Sequence, residues 1–444
     1  MSKIKLSDHF TVPRLLRFTL PSIAMMIFTS VYGVVDGIFV SNFAGKTAFS
    51  AVNFIMPYVM VFGAVGFLLG AGGTALISMH LGMGKREKAN RLFSALVLIG
   101  AACGVVLTVV SIAFMRPVAI WMGAEGQMLS DCVLYGTIVQ LALTAYALQF
   151  AFQSFCVAAE KPNLSLIMTL VSGFGNIIGD AVLVGLFRWG LVGAAVATAC
   201  SQVLGALIPI VYFLRPNSSL LRLVKPEFNG KDIFRVVTNG SSELVTNISM
   251  SLVGILYNFQ LMRYAGEDGI AAYGTIMYVN FIFVAMFIGF SVGSAPIVGF
   301  HHGAGNHSEL KSLLRKSLLI LGILSVCMTL AGELLAAPLS GIFVGYDKAL
   351  YQMTLRGFTI YSFSFLVCGF NIYGSAFFTA LNNGLISAVI SFARTLVFQI
   401  AAVLILPVFI KLDGIWSSIL VSELAALMLT AFFTFLFRKK YHYI

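Results

Sequence analysis

Twelve long apolar runs dominate this chain, separated by short stretches where charges, proline and glycine collect. They lie near 17–41, 48–80, 92–115, 131–156, 163–187, 190–214, 235–262, 270–300, 312–336, 351–378, 385–410 and 414–437. Each is long enough to cross a hydrocarbon core of about 30 Å at about 1.5 Å per residue. In lipid a spanning segment must satisfy its own backbone, which leaves helices or closed barrels. Barrel strands alternate in polarity over about ten residues, whereas these runs are continuously apolar, so helices are predicted. Of the 444 residues, 59% are hydrophobic and only 10% charged. A soluble domain carries about 25% charged residues and cannot hide that much apolar surface. The expected fold is an all-α polytopic membrane protein with twelve transmembrane helices.

The net charge of +11 is not a nucleic-acid footprint, because the basic residues sit in short clusters between spans. With the N-terminus inside, the inner segments hold twenty Lys and Arg, from Lys3 and Lys5 to Arg438, Lys439 and Lys440. The outer segments hold seven: Lys46, Arg116, Arg188, Arg263, Lys348, Arg356 and Lys411. That asymmetry puts both termini in the cytoplasm. The short polar N-terminus has no signal-peptide cleavage pattern. Cys103, Cys132, Cys156, Cys200, Cys327 and Cys368 stand singly in apolar runs, so neither a zinc site nor a disulfide framework is expected.

The chain repeats itself. Shifted by 221 residues, Phe43-Ala44-Gly45 falls on Tyr264-Ala265-Gly266, Met56 on Met277, Gly72 on Gly293, His80 on His301, Gly82 on Gly303, Gly84 on Gly305, Gly193 on Gly414 and Ser201 on Ser422. Six spans per half is an even number, so the halves share one orientation. Parallel repeats about an axis along the membrane normal are a transporter device, with the substrate bound between them. The expected organisation is two pseudo-symmetric six-helix bundles. Residues 1–214 form the lobe with the cation site, 215–234 a hinge-like cytoplasmic connector, and 235–444 the second lobe.

Charges inside spans cost about 2.5–3.5 kcal/mol at mid-membrane and point to function. Asp36 lies about nineteen residues past Arg17, roughly 28 Å along its helix. Asp180 lies about eighteen residues past Pro162 in the fifth span, which runs the same way, at roughly 27 Å. Asn176 is one turn below Asp180 on the same face. Thr198 descends to that level in the sixth span. Two carboxylates, an amide oxygen and a hydroxyl form a hard all-oxygen set, suited to Na⁺ or to a proton shared between carboxylates. The plain alternative is that both aspartates snorkel to the interface. If the two lie close together in a poorly hydrated pocket, proton and Na⁺ should compete for the same oxygens.

These residues also carry a resemblance. Asn176-Ile177-Ile178-Gly179-Asp180, then Gly190-Leu191-Val192-Gly193-Ala194-Ala195-Val196-Ala197-Thr198, with Val35-Asp36-Gly37-Ile38-Phe39-Val40 and Pro21 upstream and Gly414-Ile415-Trp416 in the second half, are similar to the MATE (multidrug and toxic compound extrusion) transporters. The bacterial MepA-type branch is the most similar part of the family. The resemblance covers essentially the whole chain. It implies export of small amphipathic, often cationic drugs in exchange for entering H⁺ or Na⁺. It also implies a first-half cation site at Asp36, Asn176, Asp180 and Thr198, with Tyr135 nearby by spacing, and a bending role for Pro21. Members with a second-half cation site carry carboxylates where this chain offers Asn247, Ser249, Tyr257 and Asn371. A second site of that type is not expected.

The second half has buried charges of its own. Arg394 and Glu423 both fall near mid-membrane, where a pair locking the last two spans is the expected arrangement. Glu243 is at mid-depth in the seventh span, either facing the cavity to attract cationic substrates or pairing with Arg394. Met56, Met277 and Tyr278 are candidate liners of an adaptable cavity. His80 and His301 read as loop-edge residues. No Walker A motif is present, so ATP does not power the protein directly. A lipid flippase is the competing class; one for anionic headgroups needs several cavity cations, and only Arg394 lies well inside. A membrane-embedded enzyme is the third, but no Asp-rich or His-Glu-x-x-His motif occurs. No organic cofactor, no nucleic acid and a monomeric state are expected.

Overall fold

The computed structural model describes residues 4–40 and 46–443. The helices in chain order are α1 (Val12–Phe39), α2 (Lys46–Gly82), α3 (Arg86–Trp121), α4 (Gly126–Leu141), α5 (Leu143–Ala158), α6 (Pro162–Gly179), α7 (Gly190–Leu214) and α8 (Gly230–Gly303). They continue with α9 (His307–Val344), α10 (Lys348–Ser362), α11 (Phe365–Ala380), α12 (Gly384–Phe392), α13 (Phe398–Leu436) and α14 (Arg438–Tyr441). Among the described residues there is no strand. Eight helical stretches are long and apolar enough to cross a membrane, or ten if the bent pairs α4–α5 (55°) and α10–α11 (49°) each count as one span. The chain is a multi-pass membrane protein.

Several boundaries differ from the sequence expectation. α3 and α9 begin several residues before their apolar runs and end several residues after them, because a helix entered from water costs nothing to continue once nucleated. The fourth and tenth runs are each broken, at Ala142 and at Phe363–Ser364. α8 has one break, at Gly266, whose φ of 65° and ψ of −152° suit glycine alone. α13 breaks at Ile410 and Lys411, the latter at a φ of 50°. The repeat partner of Gly266, Gly45, lies outside the described residues.

Reciprocal close approaches tie the two halves. A Cβ on Gly82 would stand 1.9 Å from the Phe300 carbonyl oxygen, and one on Gly303 would stand 2.1 Å from that of Met79. Met79 and Phe300 are themselves one repeat apart, so the two contacts are mates, as a two-fold relation requires. Gly72 and Gly240 press on Val236 and Leu68, joining α2 to α8; Gly289 and Gly293 press on Ile23 and Thr19 of α1. Small residues let helix backbones meet this closely in a membrane. All these approaches fall toward the end that carries the basic loops. At the other end a Cβ on Gly33, Gly254 or Gly274 would meet nothing within 4 Å. The close approaches between the halves are thus concentrated toward the basic end.

His80 and His301 stand at the loop edge, on the last turns of α2 and α8, and both are buried there. The linker 215–229 is not a loose hinge. It is sewn along α3: Arg86 donates to the carbonyls of Ser219 and Leu220, Asn90 Oδ1 accepts from the Arg222 amide and Ser94 Oγ from that of Val224. Arg91 pairs with Glu227, and Lys88 with Asp232 at the start of α8.

The N-terminal segment straps the basic end. The Leu6 amide donates to Glu160 Oε1, in the turn between α5 and α6, at 2.7 Å. Four residues on, the Phe10 amide donates to Glu309 Oε1 of α9 at 2.9 Å, and His9 Nδ1 meets Glu309 Oε2 at 2.6 Å. Leu6 and Phe10 are fully buried. A buried hydrogen bond to a charged group contributes about 1.5–3 kcal/mol. Glu309→Ala should therefore free the segment, and trypsin should cut the solubilised protein at exposed Lys5 at least about tenfold faster. An unchanged cutting rate would mean that Glu309 does not hold the strap.

Candidate cation site and the buried charges

Two glycines on α6 bring its neighbours within reach of one another. A Cβ on Gly173 would stand 2.3 Å from the ring of Phe28, so α1 can lie close against α6. A Cβ on Gly179 would stand 2.8 Å from that of Ala197, so α7 closes on the other flank. Three side chains from three helices then meet. Asn176 Nδ2 donates to Asp36 Oδ1 at 3.4 Å and reaches Thr198 Oγ1 at 3.3 Å. Asp36 lies near enough to Asp180 for its charge to act on that carboxylate. Asn176 and Asp180 are buried, Asp36 and Thr198 partly so.

Among the described residues neither oxygen of Asp180 has a donor, and neither does Asn176 Oδ1. Ionised carboxylates only accept, so two facing each other need a shared proton or a metal cation between them. The donor set is all oxygen, which fits Na⁺. Tyr135 is fully buried with its hydroxyl beside Thr198, without closing a hydrogen bond. Tyr32, one turn before Asp36 on α1, also stands within reach of the Asp36 charge. Sequence reasoning missed it; its i,i+4 spacing from Asp36 was the available signal.

A detail of the backbone sets this level apart. α6 turns into a π-helical segment at Asp180–Leu186. The second half does the same at Ala393–Val397, which contains Arg394. Such π turns spend a backbone bond to re-aim side chains and recur at functional positions.

Arg394 Nη2 pairs with Glu423 Oε1 at 2.8 Å, and Arg394 Nε meets both carboxylate oxygens at 2.9 and 3.0 Å. Asn371 donates to Glu423 Oε2 at 2.7 Å and to its backbone carbonyl at 2.9 Å. Thr430 in turn donates to Asn371 Oδ1 at 3.1 Å. Glu243 is partly buried and feels the Arg394 charge, yet its carboxylate closes no hydrogen bond among the described residues. Pro21 lies inside an α1 that continues through it as a helix. Met56 and Met277 are partly buried against separate apolar clusters and are not brought together. Tyr278 is 40% exposed and stacks on Phe343 of α9 at 6.0 Å. Asn247 is taken up by the backbone of its own helix, donating to the Glu243 carbonyl.

The family model described as MatE matches this chain twice, over residues 21–182 and 244–405. The multidrug export protein MepA of Staphylococcus aureus strain MRSA252 is 25% identical over 417 residues, 93% of this chain and 91% of its own length. A crystal structure of a MATE protein in complex with MaL6 superposes with a TM-score of 0.94 at 18% identity, covering 100% of both chains. An outward-facing multidrug resistance MATE family transporter of the MOP superfamily superposes with a TM-score of 0.90 at 19% identity, covering 95% of this chain and 94% of its own.

Proposed function

The chain belongs to the MatE family, and on that premise we propose that it is a secondary multidrug antiporter. It exports small amphipathic or cationic compounds in exchange for H⁺ or Na⁺ by alternating access. The observation that carries this reading is the Asp36–Asn176–Asp180–Thr198 cluster, two facing carboxylates with unpartnered oxygens inside one half. The relatives named MepA support the drug-export part.

Twelve spans follow if α8 is two of them, since 74 residues of helix would reach about 110 Å, and if the stretch from α12 to α13 is two more. The bent pairs supply one each. Residues 1–214 and 235–444 are then two six-span lobes, with both termini in the cytoplasm and the chain in the inner membrane. The basic end is the inside, and the concentration of close helix approaches there supports an outward-facing state. In that state the cation reaches Asp36 and Asp180 from outside. Its binding favours one arrangement of α1 around Pro21 over another. A cation with equal affinity for both states would shift nothing. The protein acts as a monomer with no organic cofactor.

The flippase reading is weaker. Its one interior cation, Arg394, is already neutralised by Glu423. Efflux of a fluorescent lipophilic cation from proteoliposomes, with H⁺ and Na⁺ gradients imposed separately, tests the proposal. Efflux driven by neither gradient would sink it.

Glu243 is the proposed attractor for cationic substrates, since its carboxylate retains acceptors that Arg394 does not fill. Glu243→Gln should weaken transport of cationic drugs about tenfold, the scale of one close charge contact, while sparing neutral ones. Equal losses for both classes would argue for a purely structural carboxylate.

A further inference from the structure

Below the acidic pair, one face of α6 is polar along its whole length. Ser165, Thr169, Ser172, Asn176 and Asp180 recur at steps of three and four, and all are buried. From Asp180 to Ser165 is about 22 Å of helix, the distance from the cation cluster to the basic end. The face is not isolated. Gln149 and Gln153 approach it from α5, and Ser201 from α7. Ser172 Oγ donates to the Ser201 carbonyl at 2.8 Å, and Ser201 Oγ donates to the Thr198 carbonyl at 2.8 Å. Gln149 Oε1 stands 3.5 Å from Ser172 Oγ, and Gln153 Nε2 donates to Thr169 Oγ1 at 3.2 Å. Ser165 Oγ donates to the Gln153 carbonyl at 2.8 Å. Gly205 of α7 makes the space for the Gln149 amide, since a Cβ there would stand 2.5 Å from it.

Ser and Thr on a buried helix face often serve only as packing glue. The second half supplies an internal control. Ser387, Ser391 and Thr395 form a similar buried face, on which Ser387 and Ser391 bond to Ser375, Ser387 to Thr379, and Thr395 to the Ser391 carbonyl. One repeat on from Gln149 and Gln153, however, that half has Phe370 and Gly374. Hydroxyl glue is thus common to both halves. The second half has a buried amide on its matching helix, Asn371 of α11, but it is committed to Glu423 and Thr430; two glutamines beside the polar face, and a buried carboxylate at its upper end whose oxygens have no donor among the described residues, belong to the first half. Burying two glutamines in a membrane helix is costly unless they have work to do.

We propose that the coupling cation leaves the Asp36–Asp180 pair toward the cytoplasm through this column between α5, α6 and α7, with Gln149 and Gln153 as its oxygen relay, rather than through the central cleft. This rests on the pair being the cation site. For Na⁺ only coordination to successive oxygens changes; for H⁺ the O–H bond at the aspartate breaks as one forms on water in the column, which passes the proton on to cytoplasmic water and leaves the carboxylate ionised.

The test separates occupancy of the pair from departure of the ion. Parent, Asp36→Asn, Gln153→Leu, Thr169→Val and the second-half control Ser387→Ala are reconstituted. Displacement of a bound fluorescent cation by H⁺ or Na⁺ at equilibrium reports the pair, and gradient-driven efflux reports turnover. Gln153→Leu and Thr169→Val should keep the equilibrium displacement within about twofold yet slow efflux at least about tenfold, and Ser387→Ala should match the parent. Thr169→Val, nearly isosteric, carries the test if Gln153→Leu fails to fold. Parental efflux in both folded column variants, or an equal slowing by Ser387→Ala, overturns the proposal. If Asp36→Asn leaves displacement intact, the pair itself is wrongly assigned and the column falls with it.

Discussion

Asp36→Asn should abolish gradient-driven efflux while the protein stays folded and keeps at least part of its drug binding. The substitution retains shape and a hydrogen-bonding end for Asn176, whose Nδ2 now contacts Asp36 Oδ1 at 3.4 Å. What it removes is one of two facing charges, and with it the reason for a cation to sit there. Coupling needs the cation to prefer one state strongly; swinging an equilibrium from 1:99 to 99:1 takes about 5.5 kcal/mol of differential binding. A single remaining carboxylate at Asp180 cannot hold a shared proton between two oxygens, nor complete the anionic set for Na⁺. Asp180→Asn should behave alike. Asn176→Ala and Thr198→Ala, which remove neutral ligands, should give partial loss. Counterflow in proteoliposomes, with drug binding measured on the same preparation, checks this. A well-folded Asp36→Asn variant with parental efflux and parental ion dependence would refute the assigned site.

Depth along a helix is why this cluster was legible before any coordinates. Asp36 and Asp180 sit at nearly the same height on helices that run the same way, and 1.5 Å per residue is enough to say so. The repeat was legible for a similar reason, because glycines at helix crossings cannot be replaced without moving backbones. Gly82 and Gly303 prove to make mirror contacts with Phe300 and Met79. Other parts were invisible because they depend on backbone detail or on which residue a side chain happens to reach. The π turns at Asp180 and Ala393 leave no signature in apolar periodicity. The breaks at Ala142 and Phe363, one repeat apart, fall inside unbroken apolar runs. The strap through Leu6 and Phe10 joins residues some 150 and 300 positions apart.

The Asn371 amide is committed to Glu423, 52 positions away. That geometry fixes the expected result for the second-half charges. Glu423 is 2% and Arg394 15% exposed at the side chain, so water screens the pair little. Removing one partner of such a pair costs about 3–5 kcal/mol, because the other is left uncompensated. The two losses are not equivalent here. After Glu423→Gln, Arg394 still has Glu243 within electrostatic reach. After Arg394→Met, Glu243 and Glu423 are both left without a cation, and Asn371 offers Glu423 only neutral donors. Arg394→Met should therefore be the more damaging single change, at the upper end of that range, and Glu423→Gln the milder. The double variant should fall short of the sum by about 0.5–3 kcal/mol, the coupling typical of groups in one network. Thermal unfolding of the four detergent-purified proteins measures the cycle. Strict additivity would mean that the pair contributes nothing beyond its separate parts. An Arg394→Met variant more stable than Glu423→Gln would mean that Glu243 does not share the Arg394 field.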